Sequence, residues 1–321
     1  MHVLVTGGAG FIGSNLINRL FRDTPGIKIT CIDNFDSFYS EDLKQLNIRD
    51  FRNNPSFHLL KNDIGITTAK ELCELVSDQV DIIVHSAAKA GVRPSILNPM
   101  AYQQTNVLGL QNMLDFAKAK QVKQFVFISS SVYGINDHYP WKEEEQLMPI
   151  SPYAMTKLSG EMLGHVYCKL FGIRFIALRF FTVYGPGQRP DLAIHKFTKA
   201  ILKGEPITMY GDGSTSRDYT FTDDIVQGVI SAMNYSATDF EIINLGNNYT
   251  VSLKELINAL EQVTGKRAII EQHPEQPGDV SKTFADISKA GQLLGYNPQT
   301  QLKDGLKKFY DWFIQNKKLL V

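Results

Sequence analysis

The chain has 321 residues, with 33 Lys and Arg against 33 Asp and Glu, so its formal net charge is zero. Nucleic acids and anionic membrane surfaces attract an excess of basic residues, and this balance argues against both as partners. The length is sufficient for one large α/β domain and a smaller lobe. Apolar runs stay below the roughly 18 residues that a membrane span needs, and residue 1 does not begin a cleavable leader pattern. We expect a cytoplasmic protein.

The cysteines and histidines predict neither disulfides nor a metal site. Cys31, Cys73 and Cys168 are odd in number and widely spaced, unlike a disulfide framework or paired zinc ligands. The seven histidines do not recur at ligand spacing with one another or with a cysteine. We therefore expect reduced thiols and no metal cofactor.

Short apolar runs rich in β-branched residues predict buried strands, and stretches with helical periodicity lie between them. The predicted strands are 2–6, 28–33, 56–61, 81–85, 124–128 and 174–179, and the main predicted helices are 11–21, 101–119, 153–171, 253–263 and 302–315. Strands that alternate with helices form βαβ units, because a parallel pair needs a long crossover. The pattern predicts an α/β fold with a doubly wound parallel sheet of the Rossmann type.

The regular alternation weakens after residue 179, where Pro and Gly interrupt the chain at 185–187, 211–213 and 277–279. We therefore predict a dinucleotide-binding domain over 1–178, joined by part of 211–238. The rest of 179–321 is expected to form a smaller α/β substrate-binding lobe.

A glycine-rich turn follows the first predicted strand and opens a helix, with Gly7, Gly10 and Gly13 at three-residue spacing. Glycine lets the backbone approach a pyrophosphate, and the helix presents unpaired N–H groups and the positive end of its dipole. The alternative explanation of the glycine spacing is a purely structural one, a tight turn between packed elements. Asp33, which ends the second strand 20 residues after Gly13, favours the dinucleotide site.

The carboxylate of Asp33 can accept hydrogen bonds from an adenosine ribose and would repel a 2′-phosphate, so the predicted cofactor is NAD rather than NADP. The alternative for Asp33 is a turn residue before Asn34. Asp63, just after the third predicted strand, is a candidate adenine contact, and the alternative is a helix cap.

Tyr153 and Lys157 stand four residues apart, one turn from each other on one face of a predicted helix. Tyrosine has an ordinary pKa of about 10, and a nearby ammonium favours the phenolate that a base requires. The alternative is a surface helix pair. Ser129, Ser130 and Ser131 close a predicted strand, at the edge of the sheet where such folds bind ligands, so Ser129 can share the hydrogen bond of a reacting hydroxyl with Tyr153.

Together these motifs resemble the nucleotide-sugar epimerases and dehydratases of the extended short-chain dehydrogenase/reductase family, over nearly the whole chain. The resemblance also rests on Ser-Ala-Ala at 86–88, Ser-Ser-Ser-Val-Tyr-Gly at 129–134, Arg-Phe-Phe at 179–181 and Tyr-Gly-Pro at 184–186. It implies that Tyr153 removes the proton of a sugar hydroxyl while a tightly held NAD takes the hydride. The ketone then turns over and regains the hydride on its other face. Ser129 is the implied hydroxyl partner, and Lys157 the implied ribose ligand.

The loop, the strand ends and the resemblance together assign the cofactor contacts. They are Gly7, Gly10, Phe11, Ile12, Gly13, Asp33, Asn34, Asp63, Ile64, Ala87, Ala88, Lys89, Tyr153 and Lys157.

The reaction and the sugar rest on further residues. Dehydratases resemble this chain but carry an acidic residue where Ser130 and Ser131 stand, and elimination needs an acid to protonate the leaving hydroxyl. We therefore predict 4-epimerisation. The runs at 90–95, 181–191 and 277–280 resemble UDP-glucuronate 4-epimerases most, so UDP-glucuronate, converted to UDP-galacturonate, is the predicted substrate.

The resemblance also implies substrate contacts. Arg189, whose planar fork suits a carboxylate, is expected to clasp the uronate with Thr182, Ser130 and Ser131; the alternative is that Arg189 caps a loop or meets a phosphate. Arg217 matches a diphosphate ligand of the family, and the alternative is a surface ion pair with Asp218. Arg93 and Asp279 lie in the two other runs that carry the resemblance and complete the predicted substrate contacts.

Two other functions stay open. One is a 4-epimerase of UDP-glucose or a UDP-N-acetylhexosamine, in which Arg189 contacts no carboxylate. The other is a non-catalytic NAD-sensing protein, against which the intact Ser129, Tyr153 and Lys157 set argues. The resemblance also implies a homodimer that pairs through the helices at 101–119 and 153–171.

Overall fold

The computed structural model describes residues 1–274 and 280–320. The strands in chain order are β1 (His2–Thr6), β2 (Lys28–Asp33), β3 (Phe57–Lys61), β4 (Ile82–His85), β5 (Gln124–Ser130), β6 (Arg174–Phe180), β7 (Thr182–Tyr184), β8 (Pro206–Tyr210), β9 (Ser216–Arg217), β10 (Tyr219–Phe221), β11 (Phe240–Leu245), β12 (Val251–Ser252) and β13 (Ile269–His273).

The helices in chain order are α1 (Phe11–Asp23), α2 (Glu41–Ile48), α3 (Ala69–Leu75), α4 (Val92–Leu97), α5 (Pro99–Tyr102), α6 (Gly109–Ala119), α7 (Pro152–Phe171), α8 (Ala193–Lys203), α9 (Thr222–Asn234), α10 (Leu253–Thr264), α11 (Ser288–Leu294), α12 (Leu302–Gln315) and α13 (Lys317–Leu320). A π-helical turn, Gln103–Leu108, joins α5 to α6. The predicted single helix over 101–119 is therefore divided in two by a wider turn.

The central sheet has seven parallel strands in the order β11-β6-β5-β4-β1-β2-β3. This confirms the predicted doubly wound Rossmann sheet. The strand order reverses between β1 and β4, and ligands of open α/β sheets bind outside the carboxyl ends of the strands at such a point.

Helices cover both faces of the sheet, and consecutive side chains of each strand point alternately into the two cores. Along β5, Val126 and Ile128 pack in a core with residues of α1 and α9. Phe125 and Phe127 pack in a second core with residues of α6 and α7. The same alternation continues to the end of the strand, where it sends Ser129 and Ser130 to different faces.

The strand β11 returns to the central sheet after an excursion through the smaller lobe. It pairs with β6 from Phe240↔Phe175 to Leu245↔Phe180, and α9, which precedes it, contributes residues to the core that α1 also lines. The sequence analysis did not predict this strand. The proposed boundaries at 178 and within 211–238 stay predictions.

The smaller lobe contains short two-stranded pairings of β7 with β10, β9 with β12 and β8 with β13. Residues of α8, α10 and α12 share an apolar core with it, centred on Leu256, Phe309 and Phe313. Across residues 1–274 and 280–320, the helices are too short or too polar to cross a membrane.

Candidate active site

A cleft of about 650 Å³ opens at the carboxyl edge of the central sheet. Of the predicted site residues, it is lined by Gly7, Gly10, Phe11, Ile12, Asp33, Asn34, Asp63, Ile64, Ala87, Ala88, Lys89, Ser129, Ser130, Tyr153, Lys157, Thr182 and Arg189. Gly13, Ser131, Arg93 and Arg217 are outside this lining, and Asp279 lies outside the described residues. The fold thus gathers most of the predicted site into one cleft.

The glycine loop after β1 is too tightly packed for side chains. Gly7 has φ +69°, and a Cβ there would lie 2.8 Å from the backbone of Ala87. A Cβ on Gly13 would lie 2.4 Å from the Gly7 carbonyl oxygen. Gly10 caps α1 without a side-chain hydrogen bond, so the first N–H groups of this helix are suited to a pyrophosphate.

The Asp33 carboxylate is held in place by the backbone. Its Oδ2 accepts from the Ala9 N–H at 3.0 Å and its Oδ1 from the Phe35 N–H at 2.9 Å. The buried Lys44 ammonium lies 3.8 Å from Asp33 Oδ1. The sequence analysis missed Lys44, because the interval between the two residues carries no recognisable motif.

Asp63 is not a helix cap, and its proposed contact with the adenine stays a prediction; the residue lies in the cleft lining. Its Oδ2 accepts from Asn34 Nδ2 at 2.9 Å, and its Oδ1 accepts from the Gly65 N–H at 2.8 Å. The following helix, α3, is capped by Thr68 instead. Asp63 therefore links the ends of β2 and β3 at the rim of the cleft.

The loop after β4 is fixed by an asparagine in the π-helical turn. Asn106 accepts from the Lys89 N–H at 2.8 Å and donates to the Lys89 carbonyl at 3.0 Å. The Lys89 ammonium lies 2.7 Å from Asp36 Oδ2, so an ion pair joins the loops after β4 and β2. Sequence analysis did not identify Asn106, although wider turns of this kind often mark functional sites.

Tyr153 and Lys157 occupy the first turns of α7, which begins with Pro152 after the cap residue Ser151. The Lys157 ammonium donates to the Ile128 carbonyl at 2.7 Å. Burial lowers the Lys157 pKa to about 7, and the charge of Glu161 acts in the opposite direction.

Burial raises the pKa of Tyr153 above its ordinary value, whereas a hydrogen bond from the Ser130 hydroxyl and the charge of Arg189 act to lower it. The Ser129 hydroxyl donates to Glu161 Oε1 at 2.6 Å, and Ser129 also lines the cleft. Its expected contact with the reacting hydroxyl of the sugar stays a prediction. Because neighbouring residues of β5 point to opposite faces, Ser129 and Ser130 have different surroundings.

Arg189 forms a two-point ion pair with Asp191. Its Nε donates to Asp191 Oδ1 at 2.9 Å, and its Nη2 donates to Asp191 Oδ2 at 2.6 Å. The guanidinium carbon of Arg189 also lies 5.3 Å from the centre of the Phe38 ring. Arg189, which is predicted to bind the carboxylate of the substrate, therefore already has the carboxylate of Asp191 as a partner within the chain. Thr182 lies in the same cleft lining.

The two predicted arginines outside the cleft lining have neighbours in the smaller lobe. Arg217 donates to the Ser216 carbonyl at 2.9 Å. The alternative ion pair of Arg217 with Asp218 does not form in the described part of the chain, and the buried Asp218 carboxylate instead accepts from the N–H groups of Asn247 and Ala285. The Arg93 guanidinium lies 5.1 Å from the Tyr210 ring centre.

Comparisons with known proteins agree with this geometry. The family described as GDP-mannose 4,6 dehydratase matches residues 4–309. UDP-glucuronate 4-epimerase of Thermodesulfobacterium geofontis is 36% identical over 322 residues, which cover 99% of this chain and 98% of the relative.

Two solved structures share the fold over nearly their full lengths. UDP-glucuronic acid 4-epimerase from Bacillus cereus, in complex with UDP-glucuronic acid and NAD, is 38% identical with a TM-score of 0.90, covering 98% of this chain and 99% of that one. UDP-glucose 4-epimerase from Thermotoga maritima, with UDP-glucose, is 31% identical with a TM-score of 0.89, covering 99% and 100%.

Proposed function

The chain belongs to the extended short-chain dehydrogenase/reductase family of NAD-dependent epimerases, and from that premise we propose that it inverts C4 of UDP-glucuronate. It is an NAD-dependent nucleotide-sugar 4-epimerase. The observation that carries the proposal is the placement of Tyr153, Lys157 and Ser130 in one cleft with the glycine loop and Arg189.

The cleft fits the dinucleotide. The glycine loop presents backbone to the cleft at Gly7 and Gly10, α1 offers N–H groups without a side-chain cap, and Asp33 offers a carboxylate to an adenosine ribose. Lys157 would hold the nicotinamide ribose. When bound, NAD supplies the hydride acceptor for C4 and gives the hydride back, so it is not consumed.

The chain's own residues move the proton. Tyr153 accepts the proton of the C4 hydroxyl. Burial raises the pKa of Tyr153 and the hydrogen bond of Ser130 acts to lower it, so Ser130 favours the phenolate. After the ketone has turned over, Tyr153 returns the proton. The serines at 129–131 offer no acid to expel a hydroxyl group, so inversion is favoured over dehydration.

Arg189 supports the uronate as the sugar. An arginine has five N–H donors, and Asp191 occupies the Nε–Nη2 edge. Among the described residues the Nη1 edge has no other hydrogen-bond partner, so it can take a second carboxylate in a charge-assisted hydrogen bond. Thr182 lies in the same lining and supplies a hydroxyl donor to that carboxylate.

A neutral sugar is the second candidate because Asp191 already balances the charge of Arg189. In that case UDP-glucose or a UDP-N-acetylhexosamine is the substrate, and Arg189 contributes no binding energy to the sugar. The non-catalytic alternative requires that none of these sugars is turned over.

The test is to incubate the purified protein with UDP-glucuronate, without added NAD, and to follow the products by proton NMR. Formation of UDP-galacturonate supports the uronate, the inversion and the retained cofactor together. Unchanged UDP-glucuronate with turnover of UDP-glucose or UDP-N-acetylglucosamine supports the neutral sugar, and no turnover of any of them contradicts the enzyme.

We also propose that two copies of the chain pair through α7. The exposed side chains Met155, Met162, Val166 and Leu170 recur at helical spacing on this helix, and a second copy would cover them isologously. Light scattering should give twice the chain mass, with Met162→Glu reducing it and Ile314→Glu, on the exposed side of α12, leaving it unchanged.

A further inference from the structure

Glu161 is a fully buried carboxylate of α7 that the reaction described so far does not use. It follows Lys157 by one helical turn. Charged side chains are almost never buried without partners, and those of Glu161 come from two neighbouring strands of the sheet. They are Ser129 of β5 and Arg179 of β6.

Arg179 binds this carboxylate at two points. Its Nε donates to Oε1 at 3.0 Å and its Nη2 donates to Oε2 at 2.8 Å. The two side chains are 1% and 0% exposed, so water does not weaken the pair. Arg179 Nη1 donates in turn to the Tyr133 hydroxyl at 3.2 Å, which fixes the guanidinium from its other end.

The carboxylate determines the direction of the Ser129 hydroxyl. An ionised carboxylate only accepts hydrogen bonds, so the single Ser129 proton is directed to Glu161 Oε1. Ser129 also lines the cleft, where only its oxygen lone pairs are left for a ligand. Ser129 can therefore accept a hydrogen bond in the cleft, and donation to Tyr153 is left to Ser130.

Glu161 also acts on Lys157. Burial lowers the Lys157 pKa, and the Glu161 charge raises it, so the carboxylate favours the ammonium that donates to the Ile128 carbonyl. The charged partner of Glu161 is Arg179 on β6, and Tyr133 after β5 meets Arg179. On β4 the buried His85 faces Lys157, and burial together with the Lys157 charge lowers the His85 pKa.

We propose that Glu161 is a positioning residue of the catalytic centre, which holds Ser129 as a hydrogen-bond acceptor toward the cleft and sustains the positive charge of Lys157. The competing explanation is that Glu161 does no more than neutralise Arg179.

The experiment compares Glu161→Gln with the double variant Glu161→Gln/Arg179→Met, which removes both buried charges. Activity is measured with UDP-glucuronate, or with UDP-glucose if the wild type turns over only the neutral sugar, so the result does not depend on which sugar is correct. We expect both variants to lose at least about tenfold in kcat with KM changed less than about threefold. The alkaline limb of the pH profile should move to lower pH, because Lys157 loses its charge more readily.

A double variant with wild-type kcat and a wild-type pH profile would overturn the proposal, since neutralising Arg179 would then be the only role of Glu161. The variant Glu161→Asp keeps the charge and shortens the reach to Ser129. It should lower kcat while leaving the alkaline limb in place, and wild-type kcat in this variant would contradict the role assigned to Ser129. Thermal unfolding and NAD content identify any variant whose loss of activity comes from misfolding. If Glu161→Gln or the double variant misfolds, the kcat and pH profile of Glu161→Asp decide whether Glu161 positions Ser129.

Discussion

Arg189 and Asp191 form a two-point ion pair in the lining of the cleft, only two residues apart in the chain. A substrate carboxylate therefore meets an arginine that Asp191 already orients and whose Nε and Nη2 already donate hydrogen bonds. Arg189 can therefore be tested for its attraction to the uronate carboxylate, and Asp191 can be tested separately for its repulsion of that carboxylate.

Arg189→Ala should lower kcat/KM for UDP-glucuronate by about 10- to 100-fold, because a charge-assisted hydrogen bond contributes about 1.5–3 kcal/mol. The rate with UDP-glucose, where accepted, should change less than threefold. The 4-keto form of a uronate is a β-keto acid that loses carbon dioxide easily, so the variant should also release more UDP-pentose. Product analysis by proton NMR measures both effects, and equal losses on the two sugars would contradict the carboxylate contact.

Asp191→Asn should lower KM for UDP-glucuronate about 3- to 10-fold, since it removes a negative charge from the guanidinium that the substrate carboxylate approaches. KM for a neutral UDP-sugar should stay within about twofold. A rise in KM for the uronate would show instead that Asp191 serves mainly to orient Arg189.

Tyr153→Phe should lower kcat by at least about 100-fold, the contribution typical of a positioned acid or base. Burial raises the pKa of Tyr153 and the hydrogen bond of Ser130 acts to lower it, whereas the Ser129 hydroxyl is directed to Glu161, so Ser130→Ala should move the acidic limb of the pH profile to higher pH. Ser129→Ala should lower kcat without that shift. The reverse assignment of the two effects would make Ser129 the serine that tunes Tyr153.

Asp36→Asn should speed the loss of bound NAD several-fold, because the ion pair with Lys89 joins two loops at the rim of the cofactor cleft. The measurement is the dependence of activity on added NAD after dilution. Glu41→Gln, which removes the exposed partner of Lys61, is the matched control and should retain its cofactor like the wild type.

Asp218 predicts a pH dependence of stability. Burial raises its pKa to about 6, whereas the carboxyl of the unfolded chain titrates near pH 4. The folded protein binds more protons between these values, so the stabilisation is complete below about pH 4 and is lost as pH rises through 6, with roughly 2–3 kcal/mol involved. Urea unfolding at several pH values should show that Asp218→Asn lacks this slope, while Asp42→Asn, at an exposed position, keeps it.

Much of the site could be predicted because several of its motifs end or directly follow a strand of the parallel sheet, and such strands end at one edge. Gly7, Asp33, Ser129 and Lys89 reach the same cleft for this reason. To predict the direction of individual side chains, the exact end of each strand is needed as well. Phe125 and Phe127 face α7, so counting the pleat to Ser129 would have placed it toward Glu161, but the predicted strand stopped at residue 128.

Contacts between distant segments could not be predicted from one sequence. Lys44 meets Asp33 only because α2 folds back over the end of β2. The ion pair of Arg189 with Asp191 depends on the rotamers of two long side chains on an irregular segment, where neither helical nor strand periodicity constrains them.

The late position of β11 affects how the cofactor domain forms during synthesis. A ribosome that has released only the first six sheet strands has produced the whole glycine loop, Tyr153 and Lys157, but β6 still lacks the neighbour that pairs with it from Phe175 to Phe180. Its free edge and the apolar side chains that later meet α9 stay open to solvent until about residue 245 has emerged, and an uncovered edge invites pairing with other chains. A nascent chain stopped before that point carries the glycine loop, Tyr153 and Lys157 on a sheet that is prone to aggregate.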